Sequence, residues 1–204
     1  MSSDARIYLA SRSPRRRELL TQIGVHFDML LFRTPPREDD EIDESHHAGE
    51  TPEVYVQRVA LAKAEHAERM LGWRRQAKRL VLAADTTLDL DGEVIGKPRD
   101  ENDAVAILNR LSGKTHRVLT AVVIGDGERA ERGVSSSEVR FRTLDADEIK
   151  RYVRSGEPMD KAGAYGIQGK AAMFIEEIRG SHSGIVGLPL CETVQLLRRF
   201  NFPV

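Results

Sequence analysis

Leu80-Val81-Leu82-Ala83-Ala84 constrains the fold more than any other stretch. Five apolar residues in succession, without the polar alternation of a half-wet strand, read as a strand covered on both faces. A strand of that kind needs layers of helix above and below it, and a chain of 204 residues is long enough to supply them. The flanking pattern does so. Ile7-Tyr8-Leu9-Ala10 reads as a short buried strand, followed by a helix with Ser13 as N-cap, Pro14 at its first position, Leu19, Leu20 and Ile23 on one side, and Gly24 at its close. Val25 to Phe32 reads as a second strand, and Arg33 to Glu50 as a long polar loop. Thr51-Pro52 opens a helix that runs to about Leu71.

The apolar run ends at Asp85-Thr86, after which Leu88 to Ile95 alternates around Asp91-Gly92 as a hairpin. Asp100 and Asp103 open a helix striped by Ala104, Ile107, Leu108 and Leu111. His116 to Ile124 and a run ending near Phe141 read as strands on either side of an Asp126-Gly127 turn, and Asp145 with Glu148 caps a helix that closes at Gly156. The small, glycine-rich run from Glu157 to Gly169 reads as backbone brought close to a ligand. Met173 to Ile178 is the last expected strand, Gly180 to Gly187 a loop, and Pro189 opens the final helix. Interleaved strands and helices place the chain in the α/β class, with a mixed twisted sheet and flanking helices forming one domain over residues 1–204.

Charge sets limits on partners. Lys and Arg number 31 against 32 Asp and Glu, so no bulk field draws nucleic acid or an anionic membrane. RNA binding through the arginine cluster is disfavoured further by an aromatic content of 5%, which leaves little for base stacking. No run approaches the roughly 20 apolar residues of a bilayer span, and the cytoplasm is the expected address. The single Cys191 makes no internal disulfide and reads as packed; His46, His47, His116 and His182 read as structural or surface residues.

Recognition of phosphate must therefore be local. Arg15, Arg16 and Arg17 occupy the first turn of a helix, where cations are unfavourable by up to about 1 kcal/mol each. An anion docked on Ser11, Ser13 and the helix N-terminus reverses that sign, because free N–H groups, hydroxyls and guanidinium forks all become donors to it. Arg17 is the one of the three expected to be merely exposed. Arg16 is expected in an open cleft, so that its loss weakens ligand affinity more than folding. Asp85, at the expected carboxyl end of a buried strand, can hold Mg²⁺ or take a proton from water, and Asp-Thr equally well makes an Asx turn. Lys97 and Lys161 are candidate phosphate partners, Lys63 could snorkel beside its helix stripe, and Gln168 carries the donor and acceptor that a base edge requires. The acidic run Glu38 to Glu44 reads as solvated, with metal ligation as its alternative.

Taken in order, Ser11-Arg12-Ser13-Pro14-Arg15-Arg16-Arg17-Glu18-Leu19-Leu20, Ala84-Asp85-Thr86, Gly96-Lys97-Pro98, Leu111-Ser112-Gly113, Glu157 to Gly169 and Gly187-Leu188-Pro189-Leu190 resemble the Maf family of nucleoside triphosphate pyrophosphatases. The resemblance spans nearly the whole chain. It implies a fold like that of the inosine triphosphatase group, with two lobes around a cleft and cleavage between the α and β phosphates. It also implies a divalent cation, Mg²⁺ first and Mn²⁺ or Co²⁺ as alternatives, and a homodimer. By position it makes Asp85 the proton acceptor and a metal ligand, with Glu44 a second ligand. Arg15, Thr86 and Gln168 fall at positions tied to substrate choice, and Ser11, Arg16, Lys63, Lys97 and Lys161 among the phosphate-binding side chains. Tyr165-Gly166-Ile167-Gln168 is similar to the branch acting on dTTP and UTP. A nucleotide-binding regulator of septum formation is the alternative that the resemblance keeps open.

Overall fold

The computed structural model describes residues 5–31 and 42–204. Along them run β1 (Arg6–Leu9), α1 (Pro14–Gln22), β2 (His26–Met29), α2 (Pro52–Trp73), β3 (Val81–Leu90), β4 (Glu93–Ile95), α3 (Glu101–Leu111) and β5 (Thr115–Gly125). β6 (Ala130–Phe141), α4 (Ala146–Val153), β7 (Ile175–Arg179), α5 (His182–Val186) and α6 (Leu190–Arg199) complete the order, with three short 3₁₀ turns between α4 and β7. The expected loop is without helix or strand over residues 42–50, while Arg33 to Glu41, with the first half of the acidic run, lies outside the described residues, as does Phe32.

The strands form one mixed sheet in the order β2-β1-β3-β5-β6-β7, with β4 added to β3. β1 pairs in parallel with β2 and β3, and every other pairing is antiparallel. Helices cover it as the apolar run at Leu80 demanded. On one face Val81, Ala83, Leu119, Ala121 and Val123 meet Val56, Ala60, Ala64, Ala67 and Met70 of α2. On the other, Leu82, Ala84, Val122 and Ile124 meet Leu19 and Leu20 of α1 and Leu196 and Leu197 of α6. Farther along that same face, Leu88, Leu90 and Val118 join a separate cluster with Leu108 and Leu111 of α3 and Ile149, Tyr152 and Val153 of α4. Among the described residues no helix is long and apolar enough to cross a membrane.

Three features differ from expectation. Asp85 does not end a strand. β5 stays in register with β3 from Val81↔Gly125 through Asp89↔Arg117, so its hydrogen bonds carry the strand through Asp85-Thr86, and the Asx-turn alternative falls. β3 loses pairing on its other edge instead, where β1 reaches only Leu82 and β4 begins at Leu88. The polar residues interrupt the cover of the strand rather than the strand itself. The second difference is α5, which occupies part of the expected Gly180–Gly187 loop; Ser181 caps it by accepting from the Gly184 N–H at 3.0 Å. Five residues are too few to reveal a helical period. Cys191 is exposed rather than packed, because α6 turns Thr193, Leu196 and Leu197 to the sheet. The hairpin follows its sequence signal, with Asp91 at φ 56° and Gly92 at φ 86°.

Candidate active site

A cleft of about 1640 Å³ opens where β3 lacks its edge partner, and it collects segments that lie far apart in sequence. That volume exceeds the range of about 300–1,000 Å³ common for small-molecule pockets, so a complete nucleotide fits. Asp85, Thr86, Lys63, Glu44, Lys97, Lys161 and Gln168 all line it, together with Ser11 to Arg16. The residues singled out in sequence therefore converge, and the structure adds how each is held.

On the α2 face, Asp85 projects beside Val81 and Ala83 and meets Lys63. The Lys63 ammonium donates to Asp85 Oδ1 at 2.7 Å and lies 2.7 Å from Glu44 Oε1. Its side chain is only 15% exposed, so it is a bridge between two carboxylates and not a snorkelling surface lysine. Burial raises the Glu44 carboxyl, but Lys63, Lys97 and Arg16 together draw it below its ordinary value and keep it ionised. Asp85 lines the cleft, and its Oδ2 has no hydrogen bond among the described residues.

Two carboxylates converging on one cationic point are a donor set suited to Mg²⁺, which takes one or two protein carboxylates and fills its octahedron with water and phosphate oxygens. Among the described residues no group of three or more His, Cys, Asp or Glu assembles, so no closed all-protein cage competes with that reading. Asp85 and Glu44 fit a divalent cation.

On the opposite face Thr86 sits between the two apolar clusters. Its hydroxyl is 2.9 Å from that of Thr120, its partner in the strand register. Thr120 donates to Gly184 O at 2.8 Å and Arg16 Nη2 donates to Thr86 at 3.2 Å, which fixes the remaining direction as Thr86 to Thr120. Thr86 thus has no proton left to give and meets a ligand only as an acceptor. Arg16 also donates from Nε to Gly187 O at 2.7 Å and from Nη1 to Ser11 Oγ at 3.2 Å. It lines the cleft as expected, but half-buried and tied to three segments; these acceptors were invisible in sequence because Gly187 is 171 residues away. Burial lowers the Arg16 pKa, with Asp85 opposing that effect.

α1 keeps its N-terminus open. Ser13 is the N-cap residue, yet its side chain makes no capping bond, and its own N–H donates to Ser11 Oγ at 3.2 Å. First-turn N–H groups are left for an anion. Arg15 reaches across toward Asp160, 3.7 Å away, and Arg17 is exposed as expected.

Asp160 and Glu157 are the site residues that sequence did not single out. Lys161 Nζ donates to Asp160 Oδ1 at 2.5 Å and to Glu157 O at 2.6 Å. Burial raises the Asp160 carboxyl, and Lys161 and Arg15 outweigh it and leave it lowered. The Glu157 carboxylate accepts from Tyr152 Oη at 3.1 Å and from the Lys170 N–H at 3.1 Å, lying so close under Gly169 that a Cβ there would fall 2.0 Å from Oε1. The only hint was the glycine spacing. Gln168 lines the cleft, is exposed and forms no hydrogen bond among the described residues. His116 is buried, with Nε2 2.7 Å from Tyr165 Oη, which agrees with its structural reading.

A family model described as Maf-like protein matches residues 6–200. Relatives called dTTP/UTP pyrophosphatase include one from Aromatoleum aromaticum, 64% identical over 98% of this chain and 98% of its own. Another, from Dechloromonas aromatica, is 58% identical over 97% and 98% respectively. The Ham1 protein of Staphylococcus aureus aligns over 96% of this chain and 99% of its own with a TM-score of 0.52 at 16% identity, a likeness of fold alone.

Proposed function

The chain belongs to the Maf-like protein family, and from that membership together with the cleft we propose that it hydrolyses dTTP and UTP to the nucleoside monophosphate and pyrophosphate. The observation that carries the site assignment is the pairing of Asp85 and Glu44 through Lys63, opposite an uncapped helix N-terminus bearing Arg15 and Arg16. Carboxylates and phosphate donors face one another across a single cleft.

In this reading the triphosphate lies along α1, on its free N–H groups and the side chains of Ser11, Ser13 and Arg15, with the remaining N–H groups of Arg16 added. Lys97 and Lys161 face the β and γ phosphates and stabilise the charge that collects on departing pyrophosphate. Asp85 Oδ2 accepts a proton from water as its oxygen attacks the α phosphorus and the bond to the bridging oxygen breaks. Lys63 holds and aims the Asp85 carboxylate through its hydrogen bond to Oδ1. A divalent cation, which we take to be Mg²⁺, would be held by Asp85 and Glu44 and would supply charge neutralisation to the phosphates. Gln168 pairs with the base, and Thr86 offers it or the sugar an acceptor. We place the reaction in the cytoplasm; neither nucleic acid nor membrane is required by it.

A nucleotide panel with phosphate and pyrophosphate measured separately tests the reading. Equimolar pyrophosphate and dTMP from dTTP is the expected result, with Asp85→Asn losing about 10³-fold in kcat while still binding nucleotide. Full turnover in that variant, release of orthophosphate, or tight binding without product would overturn it.

A further inference from the structure

Glu44 reaches the cleft from a segment with no secondary structure, yet its backbone is gripped from one helix. Arg58 of α2 donates from Nε and Nη2 to the two carboxylate oxygens of Glu50, at 2.7 and 2.9 Å. The same guanidinium donates to Asp43 O at 3.0 Å and to Ser45 O at 2.7 Å. Tyr55, one helical turn earlier, donates from Oη to Glu44 O at 2.9 Å. Three consecutive carbonyls are therefore held by two side chains of α2, and the middle one belongs to Glu44. Lys63, which meets the Glu44 carboxylate, projects from the same helix. The rest of the segment leans on the clamp: His46 Nε2 is 2.7 Å from Glu50 O and His47 Nε2 is 2.9 Å from Asp43 Oδ2.

Resting on the site reading above, we propose that Arg58 is a positioning residue that sets the Glu44 carboxylate against Asp85 and thereby sets the affinity of the cleft for a divalent cation. Four of the five guanidinium N–H groups find acceptors in this one clamp, a planar fork that an ammonium cannot reproduce. The Glu50 side chain is 6% exposed, and the Arg58 hydrogen bonds draw its carboxyl down to about 2, so the clamp is charged at neutral pH. Partners that orient metal ligands in this way typically contribute about 10- to 100-fold in metal affinity.

Mn²⁺ uptake, read by water-proton relaxation in the presence of α,β-methylene dTTP, tests the proposal without turnover. Arg58→Ala should raise the Mn²⁺ dissociation constant about 10-fold or more, and Arg58→Lys should resemble it rather than wild type. Tyr55→Phe, which removes a single hydroxyl, should raise it about 3-fold and serves if Arg58→Ala does not fold. In a Glu44→Gln background the Arg58 change should have no further effect, because the two act as a unit. Wild-type affinity in Arg58→Ala, or an equal loss with and without Glu44, overturns the Arg58 role alone. Wild-type protein that takes up no Mn²⁺ overturns the metal reading of Glu44 and this proposal with it.

Discussion

Arg16 and His116 show how a single side chain changes meaning once its surroundings are known. In sequence Arg16 was one of three basic residues at a helix start, expected in a cleft but with no partner that sequence could name. In the fold it ties α1 to β3 and to the turn after α5 by two hydrogen bonds and to Ser11 by a third, whereas Arg15 lies 3.7 Å from Asp160 and Arg17 stays in water. Removing Arg16 would orphan acceptors as well as remove a phosphate donor, so its effect divides between folding and binding. His116 is the reverse case, a titratable ring with no part in the chemistry. It is 2% exposed, packs edge-on against Phe141 and Tyr165, and burial lowers its pKa from 6.5 to about 4. Above the unfolded value both states are neutral and no penalty exists; as pH falls the unfolded chain takes up a proton that the folded chain refuses. Wild type should therefore lose about 3 kcal/mol between pH 7 and 4 that His116→Gln does not lose, measured by urea unfolding at both pH values. Equal losses in the two proteins would refute it.

At the scale of elements, the glycine-rich run after α4 is not one feature but two. Gly163 has φ +71°, and a Cβ there would lie 2.3 Å from Cδ1 of the fully buried Leu88; its N–H also donates to Gly96 O at 3.0 Å. Gly166 has no such backbone constraint, and a Cβ would meet only Cδ and Cε of Lys161, both at 2.8 Å. Gly163→Ala should destabilise the protein by about 2–4 kcal/mol, since neither the backbone nor Leu88 can yield. Gly166→Ala should cost less than about 1 kcal/mol in urea but raise KM for dTTP several-fold, because the Lys161 stem must move. Sequence indicated that backbone came close to something here; that one glycine serves the core and the other serves a lysine followed only from what packs above them. α2 likewise follows the helix expected from Thr51-Pro52, with Val56, Val59, Ala60, Ala64, Ala67 and Met70 as its core face. Its other service, carrying Tyr55, Arg58 and Lys63 on the side turned to residues 42–50, depended on where that segment lies.

At the scale of the molecule, the cleft draws on four distant parts of the chain: Ser11 to Arg16, Glu44 with Lys63, Asp85 with Lys97, and Lys161 to Gln168. The unfolded chain cannot present them together, so ligand binding should act directly on stability. At 100 times its dissociation constant, α,β-methylene dTTP with Mg²⁺ should add about 2.7 kcal/mol, seen as a raised Tm by calorimetry, and an unchanged Tm would mean that these parts do not form one site. The sequence by itself determined the class of fold, the strands and longer helices, the basic helix start and most of the residues that line the cleft, because these depend on local periodicity, turn chemistry and residue type; that Ser13 leaves this helix start uncapped came from the structure. Tertiary structure alone decided that β3 continues through Asp85-Thr86, since the hydrogen bonds that carry it come from β5, some 35 residues later. It also decided that Lys63 faces two carboxylates, that Arg16 is tethered at Gly187, and that Arg58 grips the backbone around Glu44, because such partners are set by proximity in space, which no local pattern encodes.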